Sequence, residues 1–340
     1  MSKKNKPTRV RLIANPGAGN VAETANNLKL VVDCLEKSGL KVDVTFARPK
    51  EEATPLARQA VKDGCKIVIA MGGDGTLEAV MHGLIGSKVR LGIIPTGIEN
   101  NIAQSLGIPK DLEKACALIS SDNTLKLDLG QVTTRKGKKF VFFEMATIGL
   151  ADAVYAAAQG TAFTENLPGI KATALTLIRS NQETQPKVIL TLDNEKKVEV
   201  ETMLVMVSAN TPGFGNNTPA TAQTTPSLGM LEISVYPDFG KIELLRYYAA
   251  LMDGGYSGES KVKHFQANKL KIKTSPRLDV MADGVALGKG TVTIKVRPGA
   301  LRVITTRQSP EPQTLEITLP GPAVLIGGKN HNGTREVSAQ

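Results

Sequence analysis

Two patterns of apolar and polar positions follow each other along the chain. Up to about residue 127, short apolar runs alternate with stretches whose apolar residues recur every three or four positions, which predicts strands alternating with amphipathic helices. The predicted strands are Arg9–Ala14, Lys41–Phe46, Ile67–Ala70 and Arg90–Ile94, and the predicted helices are Leu28–Leu35, Ala53–Lys62, Leu77–Leu84, Asn100–Leu106 and Asp111–Ile119. This alternation predicts a parallel sheet covered on both faces.

After residue 127, strand-like runs dominate and predict an antiparallel β-sandwich. The runs are Phe140–Phe143, Lys187–Leu192, Lys197–Val200, Met203–Val207, Leu231–Val235, Leu270–Lys273, Thr291–Val296 and Leu301–Ile304. Asp193–Lys196 is typical of a hairpin turn between two of them. Helical patterns interrupt the series at Leu150–Gln159, Leu167–Ile178 and Ile242–Met252. We therefore predict an α/β domain over 1–128, a β-sandwich domain over 129–306 and a partly disordered tail over 307–340, with one strand at Leu315–Leu319.

A glycine-rich turn, Met71 to Glu78, follows the apolar run Ile67–Ala70. Its three glycines within four positions predict a sharp turn with positive φ, and Thr76 is predicted to cap the helix that follows. A strand, a glycine turn and a helix N-terminus together direct backbone N–H groups at one point, which suits a phosphate. Asp74 lies inside this turn, where a carboxylate could hold magnesium or accept a proton from a hydroxyl. Taken alone, Gly-Asp-Gly is more often a solvated turn, but the strand–turn–helix context favours a site.

Two further turns also follow predicted parallel strands, Asn15–Gly19 and Pro95–Gly97. Because ligands bind outside the carboxyl ends of parallel strands, these turns and the Gly72–Thr76 turn are expected to line one site.

Composition restricts the class of protein. The 340 residues are 41% hydrophobic, carry a formal net charge of +10 and contain three cysteines without metal-ligand spacing. No apolar run approaches the ~20 residues of a membrane span, and no apolar segment follows the basic N-terminus, so we expect a reduced, cytoplasmic chain with neither a signal peptide nor a transmembrane segment. Since Trp is absent and aromatic residues make up 4%, nucleic acid is not an expected partner, whereas weak attraction to anionic lipid headgroups is compatible with the charge.

Four stretches, taken together, make the chain resemble the diacylglycerol kinase and sphingosine kinase family of lipid kinases, in particular its bacterial soluble members. They are Asn15–Gly19, Gly72–Thr76, Pro95–Pro109 and Asp283-Gly284, and the likeness extends through Phe143–Ala153 and Asn210–Gly215. The resemblance implies an NAD-kinase-like α/β domain followed by an antiparallel β-sandwich, with the active site between them.

The resemblance also implies roles for individual residues. Asn15 and Thr45 would lie beside the nucleotide, and Asn100, after Gly97 in the third stretch, would contact it. Gly72, Gly73, Asp74, Gly75 and Thr76 would hold the ATP phosphates. Asp74 would orient Mg²⁺ or deprotonate the lipid hydroxyl, and Asp283 would approach the reacting phosphate from the second domain.

Several positions depart from the family pattern. Ile98 replaces a usual Thr, Asn101 a usual Asp, and Val285 the Glu of an Asp-Gly-Glu triplet. Ser227-Leu228-Gly229 replaces the Asp-Asp-Gly stretch that carries an accessory magnesium site, which argues against that site here. Loss of a general base costs roughly 10²–10⁴ in rate, so a slow or repurposed kinase is an alternative.

The expected function is ATP- and Mg²⁺-dependent phosphorylation of a lipid hydroxyl, that of diacylglycerol or a relative, with the lipid met at the membrane surface. Two alternatives remain open: an NAD-kinase-like enzyme acting on a soluble substrate, and a catalytically weakened member that binds nucleotide or lipid as a regulator. A lipid substrate implies peripheral association of this cytoplasmic chain with the membrane, and a homodimer is a further expectation.

Overall fold

The computed structural model describes residues 8–17, 21–48, 52–98, 100–121, 123–150, 185–209, 229–237, 243 and 262–306. Residues Met1–Pro310 belong to one compact unit. Within the described residues, no helix is long and apolar enough to cross a membrane.

The first half is an α/β layer structure. Its strands are β1 (Thr8–Ala14), β2 (Leu40–Phe46), β3 (Ile67–Gly72) and β4 (Arg90–Pro95), and its helices are α1 (Val21–Lys37), α2 (Ala53–Lys62), α3 (Asp74–Leu84), α4 (Asn101–Ser105) and α5 (Leu112–Ile119). The strands pair in parallel in the order β2-β1-β3-β4, which confirms the predicted parallel sheet. All six residues of β3 are buried, as expected for a strand with helices on both faces.

The second half consists of antiparallel strands. They are β5 (Thr124–Thr134), β6 (Lys139–Phe142), β7 (Met145–Gly149), β8 (Lys187–Leu192), β9 (Lys196–Ser208), β10 (Leu231–Pro237), β11 (Lys263–Ala267), β12 (Lys269–Ser275), β13 (Asp279–Ala282), β14 (Val285–Lys289) and β15 (Val292–Ile304). One wall has the order β6-β5-β15-β12-β8 and the other β14-β13-β7-β9-β10-β11.

Strand β9 belongs to both walls of this sandwich. Its first residues pair with β8, and its last residues pair with β7 and β10. The apolar residues between the walls include Val188, Leu190, Val205 and Ile233, all fully buried. The expected sandwich is therefore present, but the two strands predicted at Lys197–Val200 and Met203–Val207 are one continuous strand.

Strand β15 links the two halves. Its first residues pair with β12, whereas Arg302 and Val303 pair in parallel with Arg90 and Leu91 of β4. The predicted pair of strands at Thr291–Val296 and Leu301–Ile304 is again one strand, whose register against β5 shifts between Arg297 and Leu301. As a result, residues 300, 301, 303 and 304 pack into the hydrophobic core of the first half. The division at residue 128 remains a prediction.

Several predicted elements lie outside the described residues. They are the helices within 151–184 and 244–252, the stretch Asn210–Gly215, the residues Ser227-Leu228 and the tail from residue 307.

Candidate active site

The carboxyl ends of β1, β3 and β4 bring three turns together. Asn15, one residue after β1, donates its backbone N–H to the Met71 carbonyl at 3.0 Å, and Thr96, one residue after β4, donates to the Gly72 carbonyl at 3.1 Å. Each flanking chain is thus bonded to the end of β3 before it turns away. The backbone therefore brings the three turns together at one edge of the sheet, as expected.

Close packing explains the glycines in these turns. A Cβ on Gly97 would lie 2.4 Å from the Gly73 Cα, and a Cβ on Gly72 would lie 2.7 Å from the Thr76 Cβ. Gly73 has φ −91°, and neither Gly72 nor Gly75 has positive φ, so the prediction of a left-handed turn is wrong. Gly73 and Gly97 are needed because their two loops approach each other without room for side chains, and Gly72 is needed because a side chain there would collide with Thr76.

The helix after the glycine turn begins earlier than predicted. Helix α3 starts at Asp74 and is capped by Gly73, whose carbonyl accepts the N–H groups of Thr76 and Leu77, each at 3.0 Å. Thr76 is therefore not the cap. Its buried hydroxyl instead accepts a hydrogen bond from Asn15 Nδ2 at 3.0 Å, which ties the first turn to the second.

Asn100 shapes the third turn. It has φ 56°, its Oδ1 accepts the Gly97 N–H at 2.9 Å, and its Nδ2 donates to the Gly97 carbonyl at 2.8 Å. A short polar side chain is one of the few that tolerates this left-handed backbone. In this structure, its two polar atoms hold the loop that places Gly97 against Gly73.

Asp74 links α3 to this third turn. Its Oδ1 accepts the backbone N–H of Ile102 at 3.0 Å, at the start of the short helix α4. Asp74 itself lies in the first turn of α3, where a carboxylate is favoured by the helix dipole. The carboxylate is thereby held at the point where all three turns meet.

Asp283 comes from the hairpin between β13 and β14, and its backbone has φ 41°. Its carboxylate accepts three backbone N–H groups, from Phe143 at 2.6 Å and from Glu144 and Met145 at 3.1 Å each. These bonds favour the ionised form, but loss of hydration outweighs them and, with the charge of Glu78, raises the pKa of Asp283 to about 6.

Glu144, which the sequence analysis did not assign a role, joins this cluster. Burial raises its pKa to about 7, and the negative charges of Asp283, Glu78 and Asp74 add to that increase. The pKa of Glu144 is therefore raised by the carboxylates of Asp74 and Glu78 on α3 as well as by that of Asp283. Two signals in the sequence were available: Glu78 lies one helical turn after Asp74, and Glu144 follows the apolar run Phe140–Phe143.

His82 lies one turn beyond Glu78, 3.8 Å from it, and packs edge-on against the rings of Phe143 at 4.7 Å and Phe140 at 6.3 Å. One face of α3 thus contacts the β6–β7 segment that carries Glu144. His82 therefore acts as a packing residue at this contact.

Thr45 is not brought into this group by any contact among the described residues. It lies on β2, opposite Ile13 of β1, and its hydroxyl is 3.4 Å from the guanidinium of Arg11. That guanidinium is also paired with Asp43 at 2.9 Å and Asp63 at 3.2 Å.

Two of the departures from the family pattern are exposed. Ile98 is 92% exposed at the tip of the third turn, and Val285 is 42% exposed beside Asp283. Neither side chain disturbs the packing around the cluster.

No three His, Cys, Asp or Glu side chains within the described ranges lie close enough to hold a metal ion by themselves. The donor chemistry nevertheless suits a hard cation, because carboxylate oxygens are the ligands that Mg²⁺ prefers. Mg²⁺ is commonly bound through one or two carboxylates together with substrate phosphates.

Two family models match the chain. The diacylglycerol kinase catalytic domain matches residues 9–132, and the YegS C-terminal NAD kinase beta sandwich-like domain matches residues 146–305. Together they match well over half of the chain. The chain therefore belongs to the diacylglycerol kinase family of lipid kinases.

Individual relatives agree in fold and length. A diacylglycerol kinase of Bacillus subtilis is 25% identical over 288 residues, covering 81% of this chain and 89% of the relative. The crystal structure of a diacylglycerol kinase from Bacillus anthracis superposes with a TM-score of 0.65 at 24% identity, covering 89% of this chain and 98% of that one. A yeast NADH kinase in complex with NADH shares the fold with a TM-score of 0.53 at 11% identity, covering 89% and 85%. The expected NAD-kinase-like architecture is confirmed.

Proposed function

We propose that the protein transfers the γ-phosphate of ATP to the hydroxyl of diacylglycerol or a related lipid, presented at a membrane surface. The observation that carries the proposal is that acidic residues from both halves influence one another. Asp74 belongs to the glycine turn, whereas Asp283 and Glu144 belong to the sandwich. Phosphoryl transfer needs placement and charge stabilisation more than covalent chemistry. A phosphate-binding turn facing carboxylates from another layer supplies both.

The nucleotide would bind against the three turns. Because Gly73 and Gly97 have no side chains, backbone groups are accessible to a phosphate where their two loops touch. The N-terminus of α3 also favours binding of a phosphate. Asn15 and Thr76 would line the turn, and Asn100 would keep the third loop in position. Thr45 on β2 stays a predicted nucleotide contact, although no contact among the described residues ties it to the three turns.

Asp74 would hold Mg²⁺ together with the substrate phosphates, and the metal would supply neutralisation of the charge on the transferring group. The Ile102 N–H fixes the carboxylate of Asp74 at the start of α4, beside the glycine turn against which the phosphates would lie.

The acceptor hydroxyl would approach from the sandwich side. Glu144, with a pKa near 7, is matched to accept a proton at neutral pH, and it would take the role of the carboxylate that Val285 lacks. Asp283 would position it, because its carboxylate binds the Glu144 backbone N–H.

The proposal is tested by measuring transfer of labelled γ-phosphate to detergent-dispersed diacylglycerol, to a sphingoid base and to NAD. We expect transfer to a lipid that depends on both ATP and Mg²⁺. Transfer to NAD alone would replace the proposal with the soluble-substrate alternative, which the shared fold with NADH kinase keeps open. Stabilisation by ATP without transfer to any acceptor would instead support a regulatory member, as the changes at Ile98 and Val285 suggest.

A Glu144→Gln substitution tests the proton acceptor. In the wild type, kcat/KM should rise as the pH increases through about 7, and the variant should lose that rise together with roughly 10²-fold in rate. Folding raises the pKa of Glu144, so its contribution to stability is fully present below the unfolded-state pKa, where the carboxyl is protonated, and is lost as the pH rises through about 7. The Gln side chain stays neutral at every pH. The variant should therefore melt about 3 °C above wild type at pH 8 and close to it at pH 4.5.

Glu113→Gln, on the exposed surface of α5, is the matched control and should change neither property. An unchanged pH profile in the Glu144 variant would remove this residue from the mechanism while leaving the kinase assignment intact.

A further inference from the structure

Two of the three cysteines lie together where α1 packs against α5. Cys116 on α5 is 1% exposed, and its Sγ donates to the Val31 carbonyl of α1 at 3.9 Å. Cys34 lies on α1 three residues after Val31, and its side chain packs against the same hydrophobic core. In an α-helix, a side chain lies over the carbonyl three residues before it. Both sulfur atoms therefore meet at the same point of α1.

The two thiols are reduced, and they differ in exposure. Cys34 and Cys116 are in hydrogen-bonding contact with each other, and neither forms a disulfide. Burial raises the pKa of Cys116 to about 12, and Cys34 and the negative charge of Glu113 add to that increase. Cys116 therefore remains protonated at neutral pH. Cys34 is only partly buried, so a small solute can reach its sulfur from the solvent.

We propose that Cys34 and Cys116 form a thiol–disulfide pair, in which a hydroperoxide oxidises Cys34 and Cys116 then closes the bond. The Cys34 thiolate attacks one oxygen of hydrogen peroxide, which leaves a sulfenic acid on Cys34 and releases hydroxide. The Cys116 sulfur next displaces the oxygen from Cys34, and that hydroxyl group leaves with the Cys116 proton as water. The two sulfur atoms have then given two electrons to the peroxide, and a dithiol reductant returns them.

The bond would connect two helices that extend from the candidate active site. Helix α1 follows the Asn15 turn in the chain, and α5 follows the Gly97 turn by way of α4. A cross-link between them restricts the unfolded chain, so the oxidised protein should melt above the reduced one. The second thiol also protects Cys34, because a sulfenic acid that condenses at once is not oxidised to the irreversible sulfinic acid. The pair acts without ATP or acceptor, so its test is separate from that of the kinase assignment.

The test treats the full chain with hydrogen peroxide, alkylates the remaining thiols under denaturing conditions and measures the intact mass. We expect two of the three thiols to disappear from each monomer. Tryptic digestion without reductant should yield residues 30–37 linked to residues 115–126, and dithiothreitol should separate the two peptides. Thermal melting of the oxidised and reduced chains then shows whether the helices keep their packing.

Cys116→Ala leaves Cys34 without its partner and keeps a small apolar side chain in the core. After peroxide, this variant should react with dimedone, a trap for sulfenic acid, at least about tenfold more than wild type. Cys65→Ala is the matched control, since Cys65 is also buried but follows α2, and this variant should form the cross-link as wild type does. Cys34→Ser, at the partly exposed position, should retain the Cys116 thiol after the same treatment.

Three results would overturn the inference. The first is sulfinic acid on Cys34 of wild type without the linked peptides. The second is a cross-link that involves Cys65 or joins two chains. The third is an oxidised chain that melts below the reduced one, because the helices would then have to leave their native packing to form the bond.

Discussion

Asp74→Asn should lower kcat for phosphate transfer roughly 10²–10⁴-fold while leaving the fold intact. Asn keeps an oxygen that can accept the Ile102 N–H, so the α3–α4 connection should survive. What is lost is the negative charge at the junction of the three turns. The measurement is steady-state transfer to detergent-dispersed lipid, with thermal melting as the check on folding.

Asp33→Asn, on the exposed surface of α1, serves as the control for Asp74 and should retain wild-type kcat. If the Asp74 variant kept a rate within about threefold of wild type at saturating ATP and Mg²⁺, the glycine turn would not be where the reacting phosphate lies. Loss of Mg²⁺-dependent stabilisation in the variant, with ATP present, would further tie the metal to this carboxylate.

Gly97→Ala should weaken ATP binding at least about tenfold and destabilise the fold by about 1–3 kcal/mol. The added methyl group would lie 2.4 Å from the Gly73 Cα, and backbone cannot yield as a flexible side chain can. The reverse change, Gly73→Ala, meets Gly97 Cα at 3.2 Å and should be milder. Calorimetric titration with ATP and denaturant unfolding measure the two effects.

Gly137→Ala controls for the general cost of replacing a glycine. Gly137 has φ +80°, and no heavy atom lies within 4 Å of the place that its added methyl group would occupy. The substitution should therefore cost only the backbone strain and leave ATP affinity unchanged. Equal ATP affinity in the Gly97 variant and wild type would show that the contact between the two loops does not shape the nucleotide site.

Local signals allowed several elements in both halves to be predicted. Helix α2 and strand β8 have the predicted bounds, because apolar residues recur at regular spacing along each element and turn-forming residues follow its end. The hairpin at Asp193 and Asn194 also forms as expected, and both residues have positive φ, which these short polar side chains tolerate.

The errors arise where distant contacts decide the structure. The sequence predicted separate strands at Thr291–Val296 and Leu301–Ile304, whereas β15 is continuous, with a shift in its register against β5. Strand β10 is buried at all seven positions, so alternation could not assign its faces.

Only two of the four acidic residues that raised pKa values connect, Asp74, Glu78, Glu144 and Asp283, were predicted to belong to the site, for the same reason. Asp74 and Asp283 were found through motifs, but the involvement of Glu144 and Glu78 depends on how α3 packs against the β6–β7 segment. The raised pKa of Glu144 is a product of burial and of neighbours far away in sequence. The glycine turn was located correctly, while its backbone conformation was set by the approach of Gly97, which no local pattern reports.

The parallel pairing of β15 with β4 has a consequence for biosynthesis. Strand β4 of the first sheet can pair on this side only after residues 302 and 303, which lie far downstream of the α/β half, have left the ribosome. Until then, the nascent α/β half has an unprotected edge and an incomplete core. The α/β half therefore needs residues from the far end of the sandwich to complete its sheet, and a fragment ending near residue 128 should recruit chaperones or aggregate rather than persist as an independent nucleotide-binding module.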